Sequence, residues 1–267
     1  MDIADFSLDL FSLAGRNALV TGGNSGLGRA FSAALAKAGA DVFAVGLAED
    51  DGTARRLIEG AGRRMEFMAA DITQPGVPGA IVRRCVETLG SVDILVNCAG
   101  IMSVGPLSER RWPELSREIT LNAIVVARLC HHYGAAMIAA GQGRILNFAS
   151  TAAARPAPLL ASYAASKAFV LHLSQSLAAE WRTSGVRVTC CLPGPVATGF
   201  AARGGLTQRR GGSDPAKVAR AALAASDRGR VLCFPNAGAR LRYAAFKVVP
   251  PQIVACIAGA RYREATR

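Results

Sequence analysis

The chain has 267 residues, of which 51% are hydrophobic and 6% aromatic, so its core must be built mainly from Ala, Val and Leu. No apolar run reaches the roughly 18 residues that cross a bilayer, and the first residues lack the basic and apolar segments of a secretion signal. The seven cysteines include no Cys-x-x-Cys pair, and no histidine has a carboxylate at ligand spacing. We therefore expect a cytoplasmic protein without a disulfide framework and without a metal site.

The net charge of +12 is concentrated in the last quarter of the chain. Residues 201–267 contain 13 Lys and Arg but only 3 Asp and Glu, whereas residues 1–200 are nearly balanced. Such an asymmetry indicates an anionic partner or a membrane surface, or it is a solvated basic edge with no partner. Nucleic acid is not an expected partner, because this region contains no recognised binding module.

Seven short apolar segments recur along the chain and alternate with helical patterns. The predicted strands are Asn17–Val20, Asp41–Val45, Met65–Ala70, Asp93–Asn97, Arg144–Ala149, Val186–Leu192 and Arg230–Phe234. Helices are predicted from the first glycine-rich segment to Ala38, and over 81–89, 112–137, 163–184 and 215–225. This alternation predicts an α/β fold with a single Rossmann-like, doubly wound parallel sheet and helices on both faces. We expect one domain over residues 1–267, with a core at 13–235 and a basic C-terminal extension at 236–267.

The first predicted strand ends in a glycine-rich turn that is typical of a nucleotide site. Gly22 permits a tight turn, while Gly26 and Gly28 allow a phosphate and a helix to approach the backbone closely. The helix that follows would direct its N-terminal N–H groups towards a pyrophosphate. Such turns also serve as plain connections, so the turn alone leaves a purely structural role open.

Tyr163 and Lys167 stand four residues apart in a predicted helix and would share one of its faces. An ammonium beside a phenol stabilises the phenolate and lowers a pKa that starts at about 10. The pair could then donate and accept a proton near neutral pH, as the interconversion of a carbonyl and an alcohol requires.

Over about residues 13–235, the chain contains several motifs that resemble those of the short-chain dehydrogenase/reductase family and that follow one another in the same order. The segment 97–100 matches the family's Asn-Asn-Ala-Gly motif except at its second position, where this chain has Cys98. The residues that match the family's motifs are Thr21, Gly22, Asn24, Ser25, Gly26, Leu27 and Gly28 in the turn, Asp71 and Ile72, Asn97, Ala99 and Gly100, Asn122, Ser150, Tyr163, Lys167, and Pro193, Gly194, Val196 and Thr198.

The resemblance implies hydride transfer between a nicotinamide cofactor and a carbonyl or secondary alcohol. Tyr163 would be the general acid/base and would also contact the cofactor. Lys167 would lower the pKa of Tyr163 and bind the nicotinamide ribose, and Ser150 would hold the carbonyl oxygen. Asn122 would anchor a water that connects Lys167 to solvent. The turn at 21–28, Asp71 with Ile72, the segment 97–100 and the segment 193–198 would bind the cofactor.

The choice between NAD and NADP depends on the end of the second strand. Members of this family that use NAD generally place an acidic residue there, but this chain has Gly46 and then Leu47, which we expect beside the adenosine ribose. Ser25 stands where NADP-users often have a basic residue, which favours NAD. Nearby charged residues keep both cofactors open: Glu49 and Asp50 for a ribose, and Arg29, Arg55 and Arg56 for a phosphate.

The substrate pocket is expected to be apolar. Its predicted lining is Met102, Val104, Pro156, Ala157 and Phe200. Such a pocket suits a hydrophobic ketone or alcohol, a 3-oxoacyl compound or a sugar-derived compound. The resemblance also implies a homodimer or homotetramer, because family members pair the helices predicted here at 112–137 and 163–184 across subunits.

The C-terminal extension departs from many family members, which close the last strand with Asp-Gly-Gly. This chain instead continues from Phe234-Pro235 into interleaved basic and apolar residues, and a similar helix–Pro–helix ending occurs in a subgroup of relatives. The extension is interpreted as a lid or subunit contact over the active site, or as an amphipathic element in peripheral contact with an anionic membrane. An alternative function of a different class also remains open. In it the chain would be a catalytically silent regulatory or membrane-docked protein that binds nicotinamide on the same fold.

Overall fold

The computed structural model of the protein describes residues 12–206 and 212–265. Its strands are β1 (Asn17–Thr21), β2 (Asp41–Gly46), β3 (Met65–Ala69), β4 (Ile94–Asn97), β5 (Gly143–Phe148), β6 (Val186–Cys191) and β7 (Leu232–Cys233). They form one sheet in the order β3-β2-β1-β4-β5-β6-β7, and every neighbouring pair is parallel. This arrangement confirms the predicted Rossmann-like α/β fold.

Helices connect the strands and cover both faces of the sheet. They are α1 (Gly26–Lys37), α2 (Thr53–Glu59), α3 (Val77–Leu89), α4 (Trp112–Ile119), α5 (Val125–Ala139), α6 (Ala161–Glu180), α7 (Phe200–Arg203), α8 (Pro215–Asp227), α9 (Ala237–Val248) and α10 (Pro251–Ala265). A π-helical segment, Thr120–Ile124, joins α4 to α5, and a 3-10 turn, Thr151–Ala154, follows β5. Within the two described ranges, no helix is both long and apolar enough to cross a membrane.

The core lies on both sides of the sheet, which explains why the strands are continuous apolar runs. All six residues of β2 are buried. On one face α1 and α8 pack around Phe31 and Val218, and on the other α3 and α5 pack around Ile81 and Leu129. The two layers hold the strand ends in fixed register.

The order of the strands reverses beside β1, which pairs with β2 on one side and with β4 on the other. In open α/β sheets, ligands bind outside the carboxyl ends of the strands at such a reversal. Thr21, at the end of β1, lies opposite both Val45 and Asn97. The glycine-rich turn and the segment after β4 therefore leave the sheet side by side.

Some predicted boundaries were wrong. The helix predicted over 112–137 is interrupted by the π-helical segment and continues to Ala139. The helix predicted over 163–184 spans Ala161–Glu180, because a turn follows that leads to Gly185 with a φ of +79°. The last strand has two residues rather than five, since only Leu232 and Cys233 pair with β6.

Helix α9, the first helix of the C-terminal extension, folds back onto the sheet. The side chain of Asn236 caps α9 by accepting a hydrogen bond of 2.8 Å from the Ala239 N–H. The ring of Tyr243 lies 5.1 Å from that of Phe234, centroid to centroid. Helix α9 also contacts the 3-10 turn after β5, so the extension reaches the edge of the sheet where Ser150 lies.

Candidate active site

Tyr163 and Lys167 lie together near the start of α6, and both are buried. Lys167 Nζ is 6.0 Å from the centroid of the Tyr163 ring. It donates a hydrogen bond of 2.8 Å to the main-chain oxygen of Phe148, the last residue of β5. Burial lowers the pKa of Lys167 to about 8. The ammonium is therefore fixed between the helix and the strand end, close to the phenol.

Lys167→Met is expected to raise the free energy of unfolding at pH 7 by about 1–3 kcal/mol, because it removes a charge that burial disfavours. The advantage should shrink between pH 8 and pH 10.5, where the unfolded wild-type chain holds a proton that the folded chain has released. Urea unfolding of both proteins across this pH range measures the difference. A constant difference at every pH would contradict the lowered pKa.

Ser150 follows β5 and lies at the same end of the sheet. Its Oγ accepts a hydrogen bond of 3.1 Å from the Ala152 N–H, which caps the 3-10 turn. The next residue, Thr151, donates its N–H to Pro193 O at 3.0 Å. Because Ser150 Oγ accepts from the main chain, its own proton stays available for a substrate oxygen.

Asn122 occupies the π-helical segment and is completely buried. Its Oδ1 accepts from the Ile101 N–H at 3.0 Å, and its Nδ2 donates to Ile101 O at 2.7 Å and to Ser166 Oγ at 3.3 Å. A Cβ on Gly100 would lie 3.0 Å from Asn122 Oδ1 and 3.5 Å from Lys167 Nζ. Asn122 thus holds the segment after β4 against α6, beside the lysine.

The side chains of Thr21 and Asn97 hold strand ends together. Thr21 Oγ1 accepts from the N–H groups of Cys98 and Ala99, each at 3.1 Å. Asn97 Nδ2 donates to Asn147 Oδ1 at 2.8 Å, inside the core. Since both side chains are buried and engaged in this way, a cofactor contact from either residue would come from its main chain.

The glycine-rich turn fits a pyrophosphate. Gly22 and Gly26 have φ values of +71° and +48°, a region that favours glycine. A Cβ on Gly28 would overlap the main-chain oxygen of Gly22 and lie 2.6 Å from its carbonyl carbon. The first N–H groups of α1 have no acceptor within the helix, and the side chain of Ser25 does not cap them. Leu27 packs against the core behind them. Because these N–H groups are uncapped, they can bind an anion.

The segment after β6 approaches this turn from the other side. A Cβ on Gly26 would lie 3.4 Å from Thr198 Cβ. Thr198 Oγ1 accepts from the Phe200 N–H at 3.3 Å, and Val196 forms an isolated bridge with Ser213. The segment 193–198 therefore extends from Ser150 to the glycine-rich turn, across the mouth of the site.

At the end of β2, the side chain of Asn24 occupies the space that a Cβ at position 46 would need, and Gly46 leaves this space open. A Cβ there would overlap Asn24 Oδ1 and lie 2.6 Å from Asn24 Cγ. Asn24 Nδ2 donates to Ala48 O at 2.8 Å, which holds the loop in place. Leu47 is 64% exposed beside it. Asp50, which the sequence offered as a ribose ligand, instead accepts N–H groups at the start of α2.

Asp71 and Ile72, which are predicted to contact the adenine, follow β3. Asp71 Oδ1 accepts a hydrogen bond of 2.6 Å from Thr73 Oγ1, and Asp71 Oδ2 lies 3.2 Å from Arg117 Nη2. Partial burial works against ionisation, but these hydrogen bonds and the charge of Arg117 hold the pKa of Asp71 below its usual value. Ile72 is buried. The pair is thus rigidly held near the strand ends.

Sequence reasoning missed a buried carboxylate behind the site. Glu118 of α4 is completely buried, and its Oε1 accepts a hydrogen bond of 2.6 Å from Ser162 Oγ. Its Oε2 lies 3.8 Å from Arg110 Nη2. Burial raises the pKa of Glu118, although Ser162 and Arg110 act in the opposite direction. A signal was present, because Leu115, Glu118 and Asn122 share the helical spacing of a buried face.

An apolar cluster surrounds Tyr163, as predicted for the substrate pocket. Met102 and Ala157 are buried in it, and Val104 packs against it. The Phe200 ring lies 6.1 Å from that of Tyr163, centroid to centroid. Pro156, the remaining residue of the predicted lining, is exposed.

Known proteins resemble this chain in sequence and fold. A family model described as short chain dehydrogenase matches residues 16–208. The chain is 36% identical over 193 residues to the uncharacterised oxidoreductase YgcW of Escherichia coli (strain K12), covering 72% of this chain and 74% of the relative. It is 33% identical over 195 residues to the 2-dehydro-3-deoxy-D-gluconate 5-dehydrogenase of Dickeya dadantii (strain 3937), covering 72% and 76%. A solved short-chain dehydrogenase from Sphingobium yanoikuyae, in complex with NADPH, has a TM-score of 0.78 at 28% identity, covering 87% of this chain and 92% of that chain. Together with the fold and the residues gathered at the strand ends, these matches make the chain an oxidoreductase of the short-chain dehydrogenase family.

Proposed function

We propose that the protein catalyses the NAD(P)-dependent interconversion of a carbonyl and a secondary alcohol, with Tyr163 as the general acid/base. The observation that carries this proposal is the fixed pair of Tyr163 and Lys167, whose ammonium is held by Phe148 O at 2.8 Å. The glycine-rich turn supports it, because its free N–H groups fit a pyrophosphate.

In the reducing direction, Tyr163 donates its phenolic proton to the carbonyl oxygen of the substrate. Ser150 donates a hydrogen bond to the same oxygen, and donors of this kind contribute about 2.7–4 kcal/mol. The charge of Lys167 favours the phenolate that remains. The cofactor, when bound, supplies or accepts the hydride at the carbon atom. We further propose that Asn122 anchors the water through which Lys167 exchanges protons with solvent.

The remaining predicted residues are proposed as the cofactor site. The pyrophosphate would bind the glycine-rich turn, the adenine would contact Asp71 and Ile72, and the nicotinamide would contact Gly100 and the segment 193–198. NAD is proposed as the preferred cofactor, because two of the three nearby guanidinium groups form ion pairs with carboxylates. Arg29 lies 3.4 Å from Asp51, and Arg55 lies 3.0 Å from Glu59.

Gly46→Asp alone is expected to weaken the binding of both cofactors, because the new side chain would collide with Asn24. The double variant Asn24→Ala/Gly46→Asp removes the obstacle. It is expected to prefer NADH over NADPH by about tenfold or more, since a carboxylate repels the 2′-phosphate and binds ribose hydroxyls. Fluorescence titration gives the Kd values, with Asn24→Ala as the control. Equal preference in the double variant would contradict this geometry.

The substrate is proposed to be a hydrophobic ketone or alcohol, a 3-oxoacyl compound or a sugar-derived compound. The apolar cluster around Tyr163 supports the first two, and the relative named for 2-dehydro-3-deoxy-D-gluconate supports the third. The purified protein should oxidise NADH or NADPH, followed at 340 nm, with members of at least one of these classes. If it binds cofactor but turns over none of them, the silent regulatory protein becomes the better reading.

We also propose that the protein assembles as a homodimer or homotetramer through α5 and α6. Ile124, just before α5, is 54% exposed, and Phe169 on α6 is 43% exposed. Light scattering of the purified chain should give twice or four times the mass of one chain. A monomer would contradict the proposal, and Phe169→Glu should shift any oligomer towards smaller species.

The extension 236–267 is proposed to cover one side of the active site, because α9 packs against the turn that follows Ser150. A second reading, peripheral membrane contact, is supported by the exposed Leu241 and Val248 on a helix that also carries Lys247. Co-sedimentation of the whole chain with anionic vesicles separates the two. Binding that Leu241→Glu/Val248→Glu abolishes would favour the membrane.

A further inference from the structure

Helix α9 brings a positive charge to the mouth of the proposed active site. It packs against the 3-10 turn after Ser150, and the guanidinium carbon of Arg155 lies 4.9 Å from the centroid of the Phe246 ring. The ring contact between Tyr243 and Phe234 holds the same helix about one turn earlier. The helix is therefore fixed at two points beside the segment that follows β6.

Arg242, the residue before Tyr243 in α9, reaches that segment. A Cβ on Gly194 would overlap Arg242 Nη2 and lie 3.4 Å from its Cζ. The guanidinium thus packs directly on the backbone of Gly194. Gly194 adjoins Pro193, whose main-chain oxygen accepts the Thr151 N–H next to Ser150.

The charge of Arg242 is not neutralised by a neighbouring carboxylate in the described part of the chain. The ion pairs found there join other arginines to Asp and Glu, and none includes Arg242. A second guanidinium lies over the same segment, because a Cβ on Gly199 would be 2.7 Å from Arg203 Nη1. Both side chains are exposed and can exchange water for a ligand.

We propose that Arg242 determines specificity by binding an anionic oxygen group, a carboxylate or a phosphate, on the substrate. A guanidinium binds such groups through paired, charge-assisted hydrogen bonds. The uncharged, reacting part of the substrate then lies against the apolar cluster at Tyr163. This inference rests on the proposed carbonyl–alcohol chemistry, and it narrows the substrate to oxo or hydroxy compounds with an anionic end.

Matched pairs of compounds test the proposal. Each pair joins an anionic ketone to an uncharged counterpart: 5-keto-D-gluconate with L-sorbose, D-fructose 6-phosphate with D-fructose, and acetoacetyl coenzyme A with ethyl acetoacetate. The first pair reports on a carboxylate, and the other two report on phosphates. In at least one pair, wild-type kcat/KM should favour the anion by about tenfold or more, mainly through KM.

Three variants of the full chain assign the effect. Arg242→Gln should lower kcat/KM for the anionic compound by about 10- to 100-fold, which removes the preference. It should leave kcat/KM for the uncharged compound unchanged. Arg242→Lys should retain part of it. Arg240→Gln removes the same charge from the same helix, two residues away and so on another face, and should behave as wild type. Equal losses for both members of a pair would overturn the proposal.

Two further readouts keep this result separate from the proposed function. The Kd for NADH should be the same in wild type and Arg242→Gln, and a weaker Kd would assign Arg242 to the cofactor and overturn the proposal. Thermal unfolding with D-gluconate, inorganic phosphate or D-sorbitol tests the anion without turnover. A rise in Tm with an anion that Arg242→Gln abolishes supports the proposal even if no ketone reacts, in which case the carbonyl chemistry alone fails. No rise with either anion, and no preference in any pair, overturns it.

Discussion

Replacing Tyr163 by Phe is expected to lower kcat by about 100- to 10,000-fold while leaving the Kd for the cofactor within about twofold. The phenolic oxygen is the group that exchanges a proton with the substrate, and the ring itself stays packed against Phe200. Absorbance at 340 nm gives kcat, and fluorescence titration gives the Kd. The variant should also lose the pH dependence of kcat that ionisation of the phenol imposes.

Tyr133→Phe is the matched control for this experiment. It removes the same atom from another buried tyrosine, which packs in the core with Ile81 and Cys85. This control should keep wild-type turnover. An unchanged rate in Tyr163→Phe would refute the acid–base role, whereas equal losses in both variants would indicate damage to the fold.

Gly28→Ala is expected to have the second large effect, on both stability and cofactor binding. The added methyl group would overlap the main-chain oxygen of Gly22, and neither backbone segment can move without opening the turn. Overpacking of this kind costs about 1–3 kcal/mol of unfolding free energy. We also expect the Kd for the cofactor to rise at least about tenfold, because the displaced N–H groups would no longer converge on one anion. Urea unfolding without cofactor and fluorescence titration measure the two effects.

Gly79→Ala provides the control, since Gly79 is an exposed residue inside α3. A Cβ there would meet only Arg83 Nη1, at 3.6 Å. This substitution should raise the unfolding free energy by about 0.4–1 kcal/mol and leave cofactor binding unchanged. A Gly28→Ala protein that binds cofactor as wild type does would rule out the close approach at the turn.

The strands and the glycine-rich turn could be predicted because local patterns determine them. Asp41–Val45 was predicted as a strand from its apolar run, and β2 extends it by one residue, to Gly46. The i, i+4 spacing placed Tyr163 and Lys167 on one helical face, which the structure reproduces. Such features depend on neighbours within a few residues, so the sequence alone suffices.

The features that escaped prediction depend on contacts between distant segments. Glu118 meets Ser162 across 44 residues, and Arg242 reaches Gly194 only because α9 turns back over the sheet. The requirement for Gly46 arises from Asn24, which belongs to a different loop. Helical spacing can indicate that Glu118 is buried, but in each of these cases packing decides which residue is the partner, and no periodicity in the sequence identifies that partner.

The two-residue strand β7 limits how copies of this chain can associate. An edge strand exposes unpaired N–H and C=O groups that can pair with a strand of another molecule. Here the ladder ends at Cys233, and Pro235 and α9 carry the chain away from it. The β7 edge of the sheet therefore offers little for an intermolecular strand, so contacts between copies on this side must use helix surfaces. Because Tyr163 lies on α6, association through that helix would bear directly on the orientation of the phenol.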